Sequence, residues 1–128
     1  MNKNITIGSL LGGFAIVLGA FGAHALKNKL APEALHSFET AVRYQIYHVF
    51  LILFVNLSQE LNNDIKSKIS WLIFIGIFLF SGSIYAIHLV SIPAKTIWFV
   101  TPLGGLVLVA AWLITAFYFG KKLLKKDD

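Results

Sequence analysis

The amino-acid sequence predicts an all-α integral membrane protein, a bundle of four transmembrane helices. Three observations lead there. Of 128 residues, 57% are hydrophobic and only 13% charged, with a mean hydropathy of +0.75, whereas a soluble domain carries roughly 25% charge. The apolar residues fall into four runs, each near the ~20 residues needed to cross about 30 Å of hydrocarbon. The 11 basic residues sit in short clusters between those runs, as membrane topology requires. That scattering argues against nucleic acid as a partner, despite a net charge of +5. Such hydrophobicity excludes a disordered chain. With no cysteine there is no disulfide framework, thiolate metal site or cysteine nucleophile. A β-barrel needs at least about eight strands of alternating polarity. These runs do not alternate, so helices must satisfy the backbone in lipid.

The first span runs from Ile5 to Leu26, opened by Lys3 and closed by Lys27 and Lys29. Ala23-His24-Ala25 mimics a signal-cleavage site, but the run exceeds the usual ~7–15 residues of a signal peptide and reads as a retained span. Gly8 and Gly12 form a GxxxG pair, and Ala15, Gly19, Gly22 and Ala23 continue a small-residue stripe that lets another helix approach closely. Gly13 and Ala20 widen this arc, while Leu10, Phe14, Leu18 and Phe21 are expected to meet lipid. From Ala31 to Thr40 the pattern predicts a short interfacial helix before the second span. Pro32 starts it, Leu35 and Phe38 dip, and Glu33, His36 and Glu39 stay wet. The second span is roughly Ala41 to Leu57. Arg43 in mid-membrane would cost ~2.5–3.5 kcal/mol, so it is expected at the interface. Asn62-Asn63-Asp64 leads to the third span, Ile69 to about Val90, and Ser91-Ile92-Pro93-Ala94 to the fourth, Ile97 to Phe119. Gly104 and Gly105 offer a further packing site, and Trp98 and Tyr118 fit an aromatic belt. Residues 121–128 form a charged tail. The whole chain, 1–128, reads as one four-span domain.

Orientation follows from the lysines. Lys3, Lys66, Lys68, Lys121, Lys122, Lys125 and Lys126 lie on one side; Lys27, Lys29, Arg43 and Lys95 lie on the other. The bias places both termini in the cytoplasm. A rise of 1.5 Å per residue then assigns depth. His24, Tyr44, Gln45, His48, Ser81, Ser83, Tyr85, His88, Thr101 and Pro102 fall in the outer half. Leu51 to Phe54, Trp71 to Ile75 and Val107 to Val109 make the inner half apolar. Tyr44 and His48 share a helix face, as do Ser81, Tyr85 and His88. Polar groups at membrane depth usually face the bundle interior, so one shared layer is expected, either structural or ligand-binding.

Candidate chemistries fit this layer poorly. A zinc site from His24, His48 and His88 lacks a close ligand pair. A haem held by His24 with His48 or His88 is conceivable in a four-helix bundle. Proton-driven transport wants a carboxylate within a span, and Glu33, Glu39 and Glu60 are all interfacial. No Ser–His–Asp set, P-loop or dinucleotide fingerprint appears. The expectation is a protein that is not an enzyme and holds no cofactor or metal.

Gly19-Ala20-Phe21-Gly22-Ala23-His24-Ala25-Leu26 resembles the first-helix signature of the membrane family called domain of unknown function 423, relative of the eukaryotic transmembrane protein 256. Ala41-Val42-Arg43-Tyr44-Gln45-Ile46-Tyr47-His48 resembles its second signature. Ser81-Gly82-Ser83-Ile84-Tyr85 and Thr101-Pro102-Leu103-Gly104-Gly105 resemble its third and fourth. The resemblance covers nearly the whole chain, one motif per helix. It implies a four-span integral membrane protein with no defined biochemical activity. The expected location is the bacterial inner membrane. His24, Tyr44, Gln45, His48, Ser81, Ser83, Tyr85, Thr101 and Pro102 match the motifs; His88, Arg43 and the lysine-rich tail lie outside them. Two roles remain. One is a structural or accessory protein of the bilayer, homo-oligomeric or docked in a larger membrane complex. The other binds or transports a small polar ligand, lipid or ion through the layer. The apolar inner half favours the first.

Overall fold

The computed structural model describes residues 2–126; Met1 and, in the charged tail, Asp127 and Asp128 lie outside the described residues. Four helices follow one another: α1 (Asn2–Phe21), α2 (Pro32–Leu57), α3 (Asn63–Leu89) and α4 (Val100–Lys126). A π-helical turn, Gly22–Leu26, extends α1. All four helices are long and apolar enough to cross a membrane. Among the described residues there is no strand.

Local chemistry sets the helix ends. Pro32 occupies the first turn of α2, where a missing N–H costs nothing. The Asn62 side chain accepts from the Ile65 amide at 3.0 Å and caps α3. Beyond α3, Ser91 turns the chain with φ of 59°. A turn closed by Thr96 N–H to the Pro93 carbonyl at 2.9 Å leads toward α4.

The separate interfacial helix expected over Ala31 to Thr40 does not form. That stretch is the first part of a continuous α2. Phe38 does not dip into lipid. It is fully buried against Leu18 and Leu26, with its ring 5.4 Å from that of Tyr85. Protein contacts on the inward face hold this segment in line with the span. Lysines 121, 122, 125 and 126 of the tail continue α4 rather than leaving the helix.

Contacts between side chains show that each helix runs antiparallel to the next. Along α1, a Cβ on Gly8, Gly12, Gly19 or Gly22 would meet Ile52, Val49, Val42 or Phe38 in turn, all on α2. Ala15 lies in the same stripe and is fully buried. The arc is narrower than expected and turned to one side. Gly13 faces open space, Ala20 and Ala23 are exposed, and Leu18 is buried instead of meeting lipid. Leu18 follows Ala15 by three residues and so borders the α2 contact.

Between α2 and α3 lies the main apolar core, which includes Leu51, Ile52, Val55, Ile69, Ile73 and Ile77, closed by Leu108 and Ala111 of α4. Helices α3 and α4 approach most tightly of all. A Cβ on Gly76 would collide with the Leu108 side chain, and one on Gly104 with the backbone of Leu79 and Phe80. A flexible side chain can yield; a helix backbone cannot. Gly105 has room, its nearest neighbour being the Phe80 ring at 3.6 Å.

Gly104→Ala should therefore destabilise the bundle by about 1–3 kcal/mol, as overpacking typically does. Gly13→Ala should be neutral or slightly stabilising, since alanine is the better helix former. Thermal unfolding of the two variants in detergent checks this; equal melting temperatures would place the tight crossing elsewhere.

Candidate functional site

Gln45 sits in the middle of α2 with its side chain buried. Its amide nitrogen donates to the Leu11 carbonyl of α1 at 2.7 Å. Its amide oxygen accepts from the Tyr85 hydroxyl of α3, also at 2.7 Å. One side chain thus ties three helices. In a bilayer no water competes for these groups, so the pairing fixes the rotation of all three.

His48, one turn along α2, is also buried. Its Nδ1 lies 2.6 Å from the Tyr44 carbonyl, and its Nε2 lies 3.1 Å from the indole Nε1 of Trp112 on α4. A carbonyl only accepts and an indole N–H only donates. Together they assign the neutral ring with its proton on Nδ1, which donates to Tyr44, while Nε2 accepts from Trp112. Neither nitrogen is left for a metal or a further proton. Ser81 donates to the Ala41 carbonyl at 2.7 Å, joining α3 to α2. The Ser83 and Thr101 hydroxyls pair at 2.5 Å, joining α3 to α4, and Ser83 also reaches the Phe80 carbonyl.

The expected layer is therefore present as a set of interhelical clamps and not as one shared site. Gln45 and Tyr85 meet, as do Ser83 and Thr101; Ser81 and His48 each find a partner on a neighbouring helix. His24 does not join them. It is exposed in the π turn and takes no part in these bonds, so His24 and His48 do not converge. Tyr44 contributes its carbonyl to His48, but its side chain is partly exposed and its ring packs edge-on to Phe80 at 5.1 Å. Among the described residues no group of three His, Cys, Asp or Glu side chains comes close enough to hold a metal ion, so His24, His48 and His88 do not assemble one.

Sequence reasoning missed a second polar cluster, at the end of the bundle that carries both termini. Asn56 is fully buried there. Its amide nitrogen reaches the Ile52 carbonyl at 2.8 Å and the Ser70 hydroxyl at 2.7 Å, while its oxygen accepts from Asn4 at 3.2 Å. Lys66, also buried, donates from Nζ to the Asn56 carbonyl at 3.1 Å. That carbonyl is in the last turn of α2, where helix carbonyls lack partners and a cation is favoured. This half of the bundle is thus not wholly apolar. The available signal was the spacing of Lys66 and Ser70, four apart on the face that carries Ile69, Ile73 and Ile77. Trp112 was overlooked too, although an indole N–H within a span needs an acceptor.

Residues 18–105 match the family described as "Protein of unknown function (DUF423)". That segment runs from the end of α1 into α4 and carries the interhelical hydrogen-bonding residues except Asn4, Leu11 and Trp112. The chain belongs to this family. The UPF0382 membrane protein of Haemophilus influenzae is 39% identical over 118 residues, covering 91% of this chain and 92% of that one. Its counterpart in Staphylococcus saprophyticus is 37% identical over 114 residues, covering 89% and 93%. YwdK of Bacillus subtilis, another UPF0382 membrane protein, is 35% identical over 116 residues. No solved structure matches. As a DUF423 protein with four apolar helices, the chain is an integral membrane four-helix bundle.

Removing the Tyr85 hydroxyl with Tyr85→Phe should cost about 0.6 kcal/mol, and no more than about 1.7, the range measured for hydrogen bonds between membrane helices. Gln45→Ala should cost more, because it removes both of the amide's bonds and strands the Tyr85 hydroxyl, at about 1–3 kcal/mol. A double-mutant cycle in detergent unfolding should give a favourable coupling between the two; additivity would break the clamp.

Proposed function

We propose that this protein is a structural or accessory component of the bacterial inner membrane, not an enzyme, and that its polar residues lock helix orientation so that the outer surface can dock a membrane partner or a second copy. What carries the reading is the pairing of polar groups. Among the described residues no buried side-chain nitrogen or oxygen lacks a hydrogen-bond partner. His48, the natural proton carrier in a span, has both ring nitrogens engaged. The grooves beside Gln45 and beside His48 are otherwise lined mainly by apolar and aromatic side chains. A transport path would need polar groups left over to meet its cargo.

Both termini face the cytoplasm in this reading, on the seven-to-four division of the 11 basic residues. A reporter active only in the cytoplasm, fused after Asp128, should be active; a stable but inactive fusion reverses the orientation.

The scaffold role is tested by reconstitution and by isolation. Purified protein in proteoliposomes should carry no proton flux above that of empty vesicles, and His48→Gln should change nothing. Mild-detergent extraction from its own membranes should recover it in a defined assembly, homo-oligomeric or mixed. Proton flux that His48→Gln abolishes would overturn the proposal.

A further inference from the structure

A polar cavity of about 370 Å³ opens at the end of the bundle that carries both termini. Lys3 and Asn4 of α1, Asn56 of α2, and Asn63, Lys66 and Ser67 of α3 form its walls. No aspartate or glutamate is among its described lining residues. Of the acidic groups nearest in sequence, Asp64 is exposed and Glu60 pairs with Lys122 at 2.9 Å. Both α1 and α3 begin at this level and point their positive dipole ends toward it. The negative end of α2 is covered by Lys66, whose Nζ is bonded to the Asn56 carbonyl. The bonds among Asn4, Asn56 and Ser70 brace the walls. The cavity therefore suits an anion, and the Asn63 amide and Ser67 hydroxyl in its wall suit phosphate oxygens.

Its surroundings identify what carries the anion. Ile7 and Trp71 line both this cavity and an apolar groove of about 410 Å³ between α1 and α3, which continues along Leu11, Phe14, Phe74 and Phe78. Ser67 and Trp71 likewise line both it and a groove of about 740 Å³ between α3 and α4, walled by Leu72, Ile75, Leu113 and Phe117. Trp71 stands between the two grooves, largely exposed, as an interfacial indole does. A charged pocket at a helix end, continuous with two apolar channels along the lipid face, has the layout of a headgroup with two acyl chains.

We propose that this cavity binds the phosphate of an anionic glycerophospholipid in the adjacent leaflet, with its acyl chains in the grooves on either side of Trp71. The phosphate cavity shares no residue with the clamps around Gln45 and His48, although the groove between α1 and α3 runs beside Gln45 and Tyr85, and it does not depend on the scaffold role.

The test uses full-length protein in dodecyl maltoside, titrated with phosphatidylglycerol, phosphatidylcholine or inorganic phosphate. Lipid retention is followed by native mass spectrometry and stability by thermal unfolding. Phosphatidylglycerol should be retained and should raise the melting temperature more than phosphatidylcholine does. Inorganic phosphate should do little, because it leaves the grooves empty. Lys3→Gln, at an exposed position, should weaken phosphatidylglycerol retention about fivefold, the contribution of one lysine near an anionic lipid surface. Lys3→Glu should weaken it further, and Lys95→Gln, at the opposite end, should not. Lys66→Gln should weaken retention as well; should it fail to fold, the Lys3 variants decide alone. Equal retention of the two lipids, or a phosphatidylglycerol preference untouched by Lys3→Glu, would overturn the proposal. Stabilisation by inorganic phosphate equal to that by phosphatidylglycerol would also overturn it, leaving only a site for soluble anions.

Discussion

An amide side chain in the middle of a membrane span has to be answered on both its ends, and Gln45 is answered by two different helices. Its nitrogen uses a carbonyl of α1 and its oxygen a hydroxyl of α3. Rotating any of the three helices by one residue would break at least one bond, with no water present to replace it. The other interhelical bonds elaborate the same constraint. Ser81 ties α3 to α2, His48 ties α2 to Trp112 of α4, and Ser83 ties α3 to Thr101 of α4. The polar groups thus specify which faces meet, while close packing supplies most of the attraction.

The two sources of order are divided among the helices. On α1 the small stripe Gly8, Gly12, Ala15, Gly19 and Gly22 brings the helix against α2 by shape. Helix α4 approaches α3 by shape at Gly76 and Gly104. Helices α2 and α3, which share the main apolar core, carry the larger number of buried polar side chains: Gln45, His48, Asn56, Lys66, Ser70, Ser81 and Ser83. This pair is the spine, and the outer helices are laid against it.

Much of the fold could be read from composition and run length, because lipid leaves few options for the backbone. The four helices, their order and the packing role of Gly8, Gly12, Gly19, Gly22 and Gly104 all follow from local pattern. The site was legible only in part. Ser83 and Thr101, or Gln45 and Tyr85, fall at one depth by simple counting, but depth does not tell which side a residue faces. His24 shares the depth but is exposed, since five residues beyond Gly19 lie about 140° round the helix, away from the small-residue stripe. Asn56 and Lys66 were hidden for another reason. Near a span end, an asparagine and a lysine look like interfacial residues, and only the coordinates reveal that they fold back into the protein.

The π turn has a mechanical consequence. On a regular helix Leu26 would lie about 80° round from Leu18, yet both are buried in one cluster with Phe38. A turn closed by i→i+5 bonds advances more slowly in angle, and over Gly22–Leu26 the lag brings Leu26 back to the Leu18 side. Such a bulge stands in for one extra residue within an α-helix. The segment therefore works as a vernier between two fittings, the stripe that seats α1 and the apolar plug that seals the loop into α2. Each fitting can keep its own angular setting while the residue count between them changes by one.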